Sequence, residues 1–231
     1  MQKMNENYNL ALKLIESDFS HESLIKFLKE GSVIERQFAA LTLDNVKSSD
    51  EAAILMSNLT GVDGKIREAV ALKISEITKK SPQYFQDKSI YQIFSDATID
   101  IDGNVCRLAI MSSVNLIDNQ DFAKFYAFEL IKIIKQALEE ISKFTFKDKK
   151  YKINKQIFKI YWCLEALIKF YSYVDINKLK EIIKKCSILP EYTIREKCAK
   201  LLNIIPIDDD LFIIKKALLQ DDNYYVRAIF E

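Results

Sequence analysis

Ile66-Arg67-Glu68-Ala69-Val70-Ala71-Leu72-Lys73-Ile74 and Ile194-Arg195-Glu196-Lys197-Cys198-Ala199-Lys200-Leu201-Leu202 are two copies of one pattern. Counting from the isoleucine, small or apolar residues stand at the fourth and eighth steps: Val70 and Ile74 in one, Cys198 and Leu202 in the other. Those steps fall on one face of a helix. The same offsets give Ala39 and Leu43 after Glu35, and Ala109 and, less regularly, Ser113 after Val105. Arginine marks the pattern because it is scarce. Of 34 basic residues only Arg36, Arg67, Arg107, Arg195 and Arg227 are arginine, each near the start of a helical apolar pattern. A polar or acidic residue stands four or five places before each: Ser32, Asp63, Asp102, Glu191 and Asp222. The arginine spacings are 31, 40, 88 and 32, and the long interval spans about two repeats of the helix-pair class.

A turn acid, an aliphatic residue, an arginine, then small residues and a leucine: this order resembles the HEAT-type helical repeat, best at residues 32–77, 100–117 and 190–205. The resemblance implies an all-α chain, a right-handed α-solenoid of about five to six stacked antiparallel helix pairs, forming a single domain over 1–231. It also implies that Arg36, Arg67, Arg107, Arg195 and Arg227, with Asp63 and Asp102, form a structural ladder between adjacent repeats. Arginine suits that role physically, since its planar fork can hold a carboxylate bidentately and reach helix-end carbonyls. The pattern departs at Cys106, which shifts Arg107 by one place, and at Arg36, which follows Glu35.

Composition agrees with helices. The 231 residues are 49% hydrophobic and 29% charged, with only four Gly and three Pro, so a sizeable core is available and hairpin turn chemistry is scarce. Helices are expected at 6–17, 21–30, 33–46, 49–60, 64–80, 84–98 and 104–117. A long helix follows from Asp118-Asn119 to about Phe144, then 152–173, 175–187, 191–204 and 209–220. Ser20 and Asp175 read as caps, Gly31 and Gly61 as stops, and Pro82, Pro190 and Pro206 as separators. Residues 144–151 break the rhythm as an irregular loop. Too few residues follow Arg227 for a full helix. The first residues lack the apolar run of a signal peptide and no long apolar stretch follows, so a cytoplasmic address without membrane contact is expected.

Catalytic constellations find little support. The only histidine, His21, sits between Ser20 and Glu22 at a helix start, where capping or exposure is expected. Gly61-Val62-Asp63-Gly64-Lys65-Ile66 lacks the spacing and the hydroxyl of a phosphate loop. Asp100-Ile101-Asp102-Gly103-Asn104 opens like a calcium loop, but its glycine comes early and Met111 stands where the bidentate glutamate belongs. Asp208, Asp209 and Asp210 suit a helix N-terminus. Cys106, Cys163, Cys186 and Cys198 read as reduced core residues, and no metal or cofactor is expected.

Net charge is +1, unevenly spread. Residues 143–185 carry 12 Lys against Asp148, Glu165, Asp175 and Glu181. Lys149, Lys150, Lys152, Lys155 and Lys159, interleaved with aromatic residues, are candidate partner contacts. Stacked repeats form an extended binding surface without any catalytic group, so a non-enzymatic scaffold for a protein or peptide partner is the leading expectation. A nucleic-acid binder is the alternative, because lysine can meet phosphate while rings stack on bases. HEAT-like relatives also include alkylated-base DNA glycosylases and bilin chromophore lyases. The former pattern of aromatic residues, acid and arginine is represented here only by Tyr161, Trp162 and Glu165.

Overall fold

The computed structural model describes residues 2–144 and 150–231. Among these the chain is all-helical, with no strand and no positive-φ residue. It divides into two compact units, Met1–Phe122 and Ala123–Glu231.

Unit 1 contains α1 (Gln2–Ile15), α2 (His21–Glu30), α3 (Val33–Thr42), α4 (Ser49–Ser57), α5 (Gly64–Lys80), α6 (Lys88–Ala97) and α7 (Gly103–Val114). Helices pack with the next but one in the chain. α1, α3, α5 and α7 form one row, α2, α4 and α6 another, with α2 on α3 and α6 on α7 crossing between rows. The core lies between the rows, where Leu28, Leu55, Met56, Ile74 and Phe94 are fully buried. Each such apolar side chain contributes about 1.5–3 kcal/mol. Unit 2 repeats the arrangement with α9 (Lys150–Phe170), α11 (Tyr192–Leu202) and α13 (Tyr224–Arg227) in one row and α10 (Ile176–Cys186) on α12 (Asp209–Leu219) in the other. α8 (Gln120–Ser142) begins at the boundary, and its Tyr126 packs edge-on against Phe170 of α9.

Side-chain caps set most helix starts. Ser20, Ser32, Ser48, Asp63, Asp87, Asp102, Asp175, Asp208 and Asn223 each accept a backbone N–H of the first turn, satisfying groups that a helix leaves unpaired. Ser32 and Glu35 complete a capping box at α3. Asn119 accepts from Asp121 N and Phe122 N and so starts α8.

Several expectations need adjustment. Gly31 ends α2 in extended backbone, φ −69° and ψ 164°, so conformational freedom is not its use. A Cβ there would lie 2.5 Å from Phe27 O and 2.9 Å from Glu35 Cβ, and the close approach of chain to helix end requires glycine. α3 stops at Thr42, short of 46, and α6 starts at Lys88 after a 3-10 turn at Pro82–Tyr84. After Arg227 the chain adds a 3-10 turn, Ala228–Phe230. Most of the loop expected at 144–151, with Lys149, lies outside the described residues.

Candidate functional site

Counting from the N-cap, one position recurs in α3, α5, α11 and α13. Arg36 stands four residues after Ser32, Arg67 four after Asp63, Arg195 four after Glu191 and Arg227 four after Asn223. Each guanidinium turns back over its own helix start to the preceding loop. Arg67 Nη1 donates to Gly61 O at 2.9 Å and Val62 O at 3.1 Å, and Arg195 Nη1 to Leu189 O at 2.9 Å and Pro190 O at 2.7 Å. Arg227 donates to the carbonyls of Asp221 and Asp222, and Arg36 to those of Gly31 and Lys29. In α7 the fourth residue after Asp102 is Cys106, whose Sγ donates to Asp100 O at 3.2 Å. Arg107, expected in the ladder, is exposed and touches Met111 Sδ at 3.5 Å. The one-residue shift turns it from the loop to solvent.

The carboxylates that close the ladder are not Asp63 and Asp102. Those two accept from first-turn N–H groups of α5 and α7. The partners are Asp100 and Asp221, each two residues before the N-cap of the next odd-numbered helix described. Arg195 holds Asp221 bidentately, Nε to Oδ2 at 2.6 Å and Nη2 to Oδ1 at 2.9 Å. Arg67 Nε lies 2.8 Å from Asp100 Oδ2, an ion-pair contact too bent for a hydrogen bond, and Nη2 donates to Oδ1 at 3.4 Å. Both acids also accept the N–H two residues on, from Asp102 and Asn223. The Arg195 hydrogen bonds hold the Asp221 carboxyl below its ordinary range, burial opposing them. Arg36 lacks such a partner because Gly61 occupies the equivalent place before Asp63.

A second register position faces outward. Nine residues after the N-caps of α3, α5 and α7 stand Leu41, Leu72 and Met111, 45%, 52% and 50% exposed. Since α3 packs on α5 and α5 on α7, the three side chains form an apolar stripe across the row. Gln37, Glu68 and Arg107 stand one turn earlier on the same helices. Sequence reading missed the stripe because an exposed leucine in an apolar helix looks like a core leucine. In α11 the corresponding residue is Lys200, paired with Glu196 at 2.6 Å.

The lysine-rich stretch of α9 is differently built. Lys150, Lys152 and Lys155 are exposed, Lys159 is half-buried, and Lys152 Nζ lies 5.2 Å from the Phe144 ring centroid. Phe158 and Tyr161 pack edge-on against Trp162. Those rings are committed to each other, leaving Tyr151, 82% exposed, as the open one. Below them Lys197 is 5% exposed; its Nζ lies 2.7 Å from Glu165 Oε2 and 4.7 Å from the Tyr161 centroid. Burial works against the Lys197 charge, but Glu165 and Tyr161 outweigh it and its pKa is raised.

Other sequence candidates resolve into structure. His21 Nε2 lies 2.8 Å from Glu51 Oε2, joining the starts of α2 and α4 in place of the expected capping or exposure. Asp208 caps α12 and meets Lys180 at 2.5 Å. The four cysteines are free and buried, and desolvation pushes the Cys106 thiol up to about 12. Among the described residues no cluster of three metal-ligating side chains occurs, and no helix is long and apolar enough to cross a membrane.

No family model and no curated protein matches the chain. Among solved structures it is similar to an engineered protein, Northeast Structural Genomics Consortium target OR329, at 11% identity and TM-score 0.49, over 92% of this chain and 94% of that one.

Proposed function

We propose that each unit is a length of HEAT-like right-handed α-solenoid, and that the exposed face of the odd-numbered row in unit 1 holds a protein partner through an amphipathic helix. The observation that carries this is the stripe Leu41, Leu72 and Met111, apolar and half-exposed at one register position of three neighbouring helices. Packed helices lie about 8–10 Å apart. On a partner helix, residues seven apart share a face at about 10.5 Å, so a heptad-spaced apolar edge crossing the row meets one stripe residue per step. In an extended peptide same-face residues repeat at about 6.7 or 13 Å, which matches neither. The role is binding without catalysis.

The test uses wild type and a Leu41→Ser/Leu72→Ser/Met111→Ser variant as baits in nuclease-treated lysate of the source organism. Each of the three side chains loses the burial of its exposed half, about 1 kcal/mol or fivefold in affinity, and the three together about a hundredfold. A protein retained by wild type and lost from the variant supports the proposal. Retention unaffected by the variant overturns it.

The second reading is a nucleic-acid interface on α9, favoured by exposed Lys150, Lys152, Lys155 and Tyr151. It requires binding that weakens steeply with salt and with neutralisation of those lysines. The packed Phe158, Tyr161 and Trp162 rings favour the protein-binding reading.

A further inference from the structure

Unit 2 carries an apolar groove separate from the α3–α5–α7 stripe. It opens beside α8 and the turn into α10, with a volume of about 440 Å³, within the range of small-molecule sites. Ala127, Phe128 and Ile131 line it from α8, Tyr173 and Val174 from the turn. Ala127 and Ile131 are buried, whereas Phe128 is 55% exposed over the opening.

Four lysines border the groove: Lys124, Lys132 and Lys135 on α8 and Lys178 on α10. Two are neutralised, Lys132 by Glu129 at 3.0 Å and Lys135 by Glu181 at 2.7 Å. Lys124 and Lys178 form no ion pair among the described residues, and Lys178 Nζ lies 5.8 Å from the Phe128 centroid. The nearby acid, Asp175, directs Oδ1 to the N–H groups of Asn177 and Lys178 as a helix cap. The result is an apolar floor with two unpaired cations at its mouth. An ammonium beside apolar surface attracts an anion more strongly than one in open water.

We propose that this groove binds a monomeric amphiphilic carboxylate, its head between Lys124 and Lys178 and its chain along Phe128, Ile131 and Val174. Apolar contact supplies affinity and the lysines select charge and direction. Nothing in this assignment depends on a partner for unit 1.

Calorimetric titration of the full chain with octanoate, decanoate and dodecanoate below their micelle concentrations tests it. A fully buried methylene is worth about fourfold in affinity, so a half-open groove gives about twofold for each carbon added. Dodecyltrimethylammonium, with the same chain and opposite charge, should not compete. Lys178→Glu should weaken dodecanoate at least about fivefold; it places an acid in the first turn of α10, where the helix dipole favours it. Lys124→Gln, at an exposed position, should weaken it about threefold, and unchanged melting temperatures show that both variants fold. No saturable binding, no dependence on chain length, equal competition by the cationic amphiphile, or unchanged affinity in both lysine variants each overturns the proposal. So does binding confined to anionic phospholipid vesicles, which would assign the lysines to a membrane surface.

Discussion

Replacing Arg67 with lysine keeps the charge and removes the planar fork, so it isolates what the fork does. Arg67 spans two loop carbonyls, Gly61 O and Val62 O, and the Asp100 carboxylate, with both side chains of the ion pair 10% exposed. A lysine ammonium cannot reach both ends at once. Either the carbonyls or the carboxylate loses its donor in a place water hardly reaches, and each such loss costs about 1–3 kcal/mol. A net loss of about 2–3 kcal/mol corresponds to about 8–12 °C in the melting temperature of unit 1. Arg67→Met, which strands Asp100, should cost more, about 3–5 kcal/mol. Lys65→Arg, at an exposed position two residues away, should change stability by less than about 0.5 kcal/mol. Trp162 lies in unit 2, so thermal melts followed by both tryptophan fluorescence and far-ultraviolet circular dichroism assign the loss to a unit. Arg67→Lys melting within about 1 °C of wild type, or Lys65→Arg moving it equally, would refute the fork as the reason for arginine.

Three other perturbations follow from the geometry. Gly31→Ala drives a methyl to 2.5 Å from Phe27 O, whereas the nearest atom at Gly61 is 3.7 Å away; urea titration should show a loss of about 1–3 kcal/mol for the first and none for the second. Glu165→Leu strands the buried Lys197 and should cost about 3 kcal/mol in the same assay. Asp221 has its folded pKa depressed by Arg195, so its contribution is complete above the ordinary aspartate value of about 3.8 and is lost as pH falls through the folded value. Melting temperatures across pH 7 to 2.5 should show Asp221→Asn below wild type at neutral pH and converging with it below about pH 4.

The helices and their caps were legible because both are local: the apolar offset of Ile66–Ile74 and the acid before it, Asp63, lie within a turn or two of each other. The ladder was half legible. Arginine was conspicuous by rarity, yet its carboxylate partners lie 33 and 26 residues further along, at Asp100 and Asp221, and only the packing of next-but-one helices brings them together. Counting from the N-cap would have placed Cys106, not Arg107, on the rung. Gly31 was read as a stop from residue type alone, although its reason is the steric approach of Glu35. The stripe and the α8 groove depend on which apolar side chains remain uncovered, and Leu72 differs from its buried neighbour Ala71 only through the helices placed around it.

Selection of random peptides from a displayed library on the full chain, followed by counter-screening on Leu72→Glu, tests the binding face most directly. Enriched peptides should be amphipathic helices with large apolar residues seven apart, and should lose at least about tenfold in affinity for Leu72→Glu. Peptides without that spacing, or with equal affinity for both proteins, would contradict a helix-binding role for the α3–α5–α7 stripe.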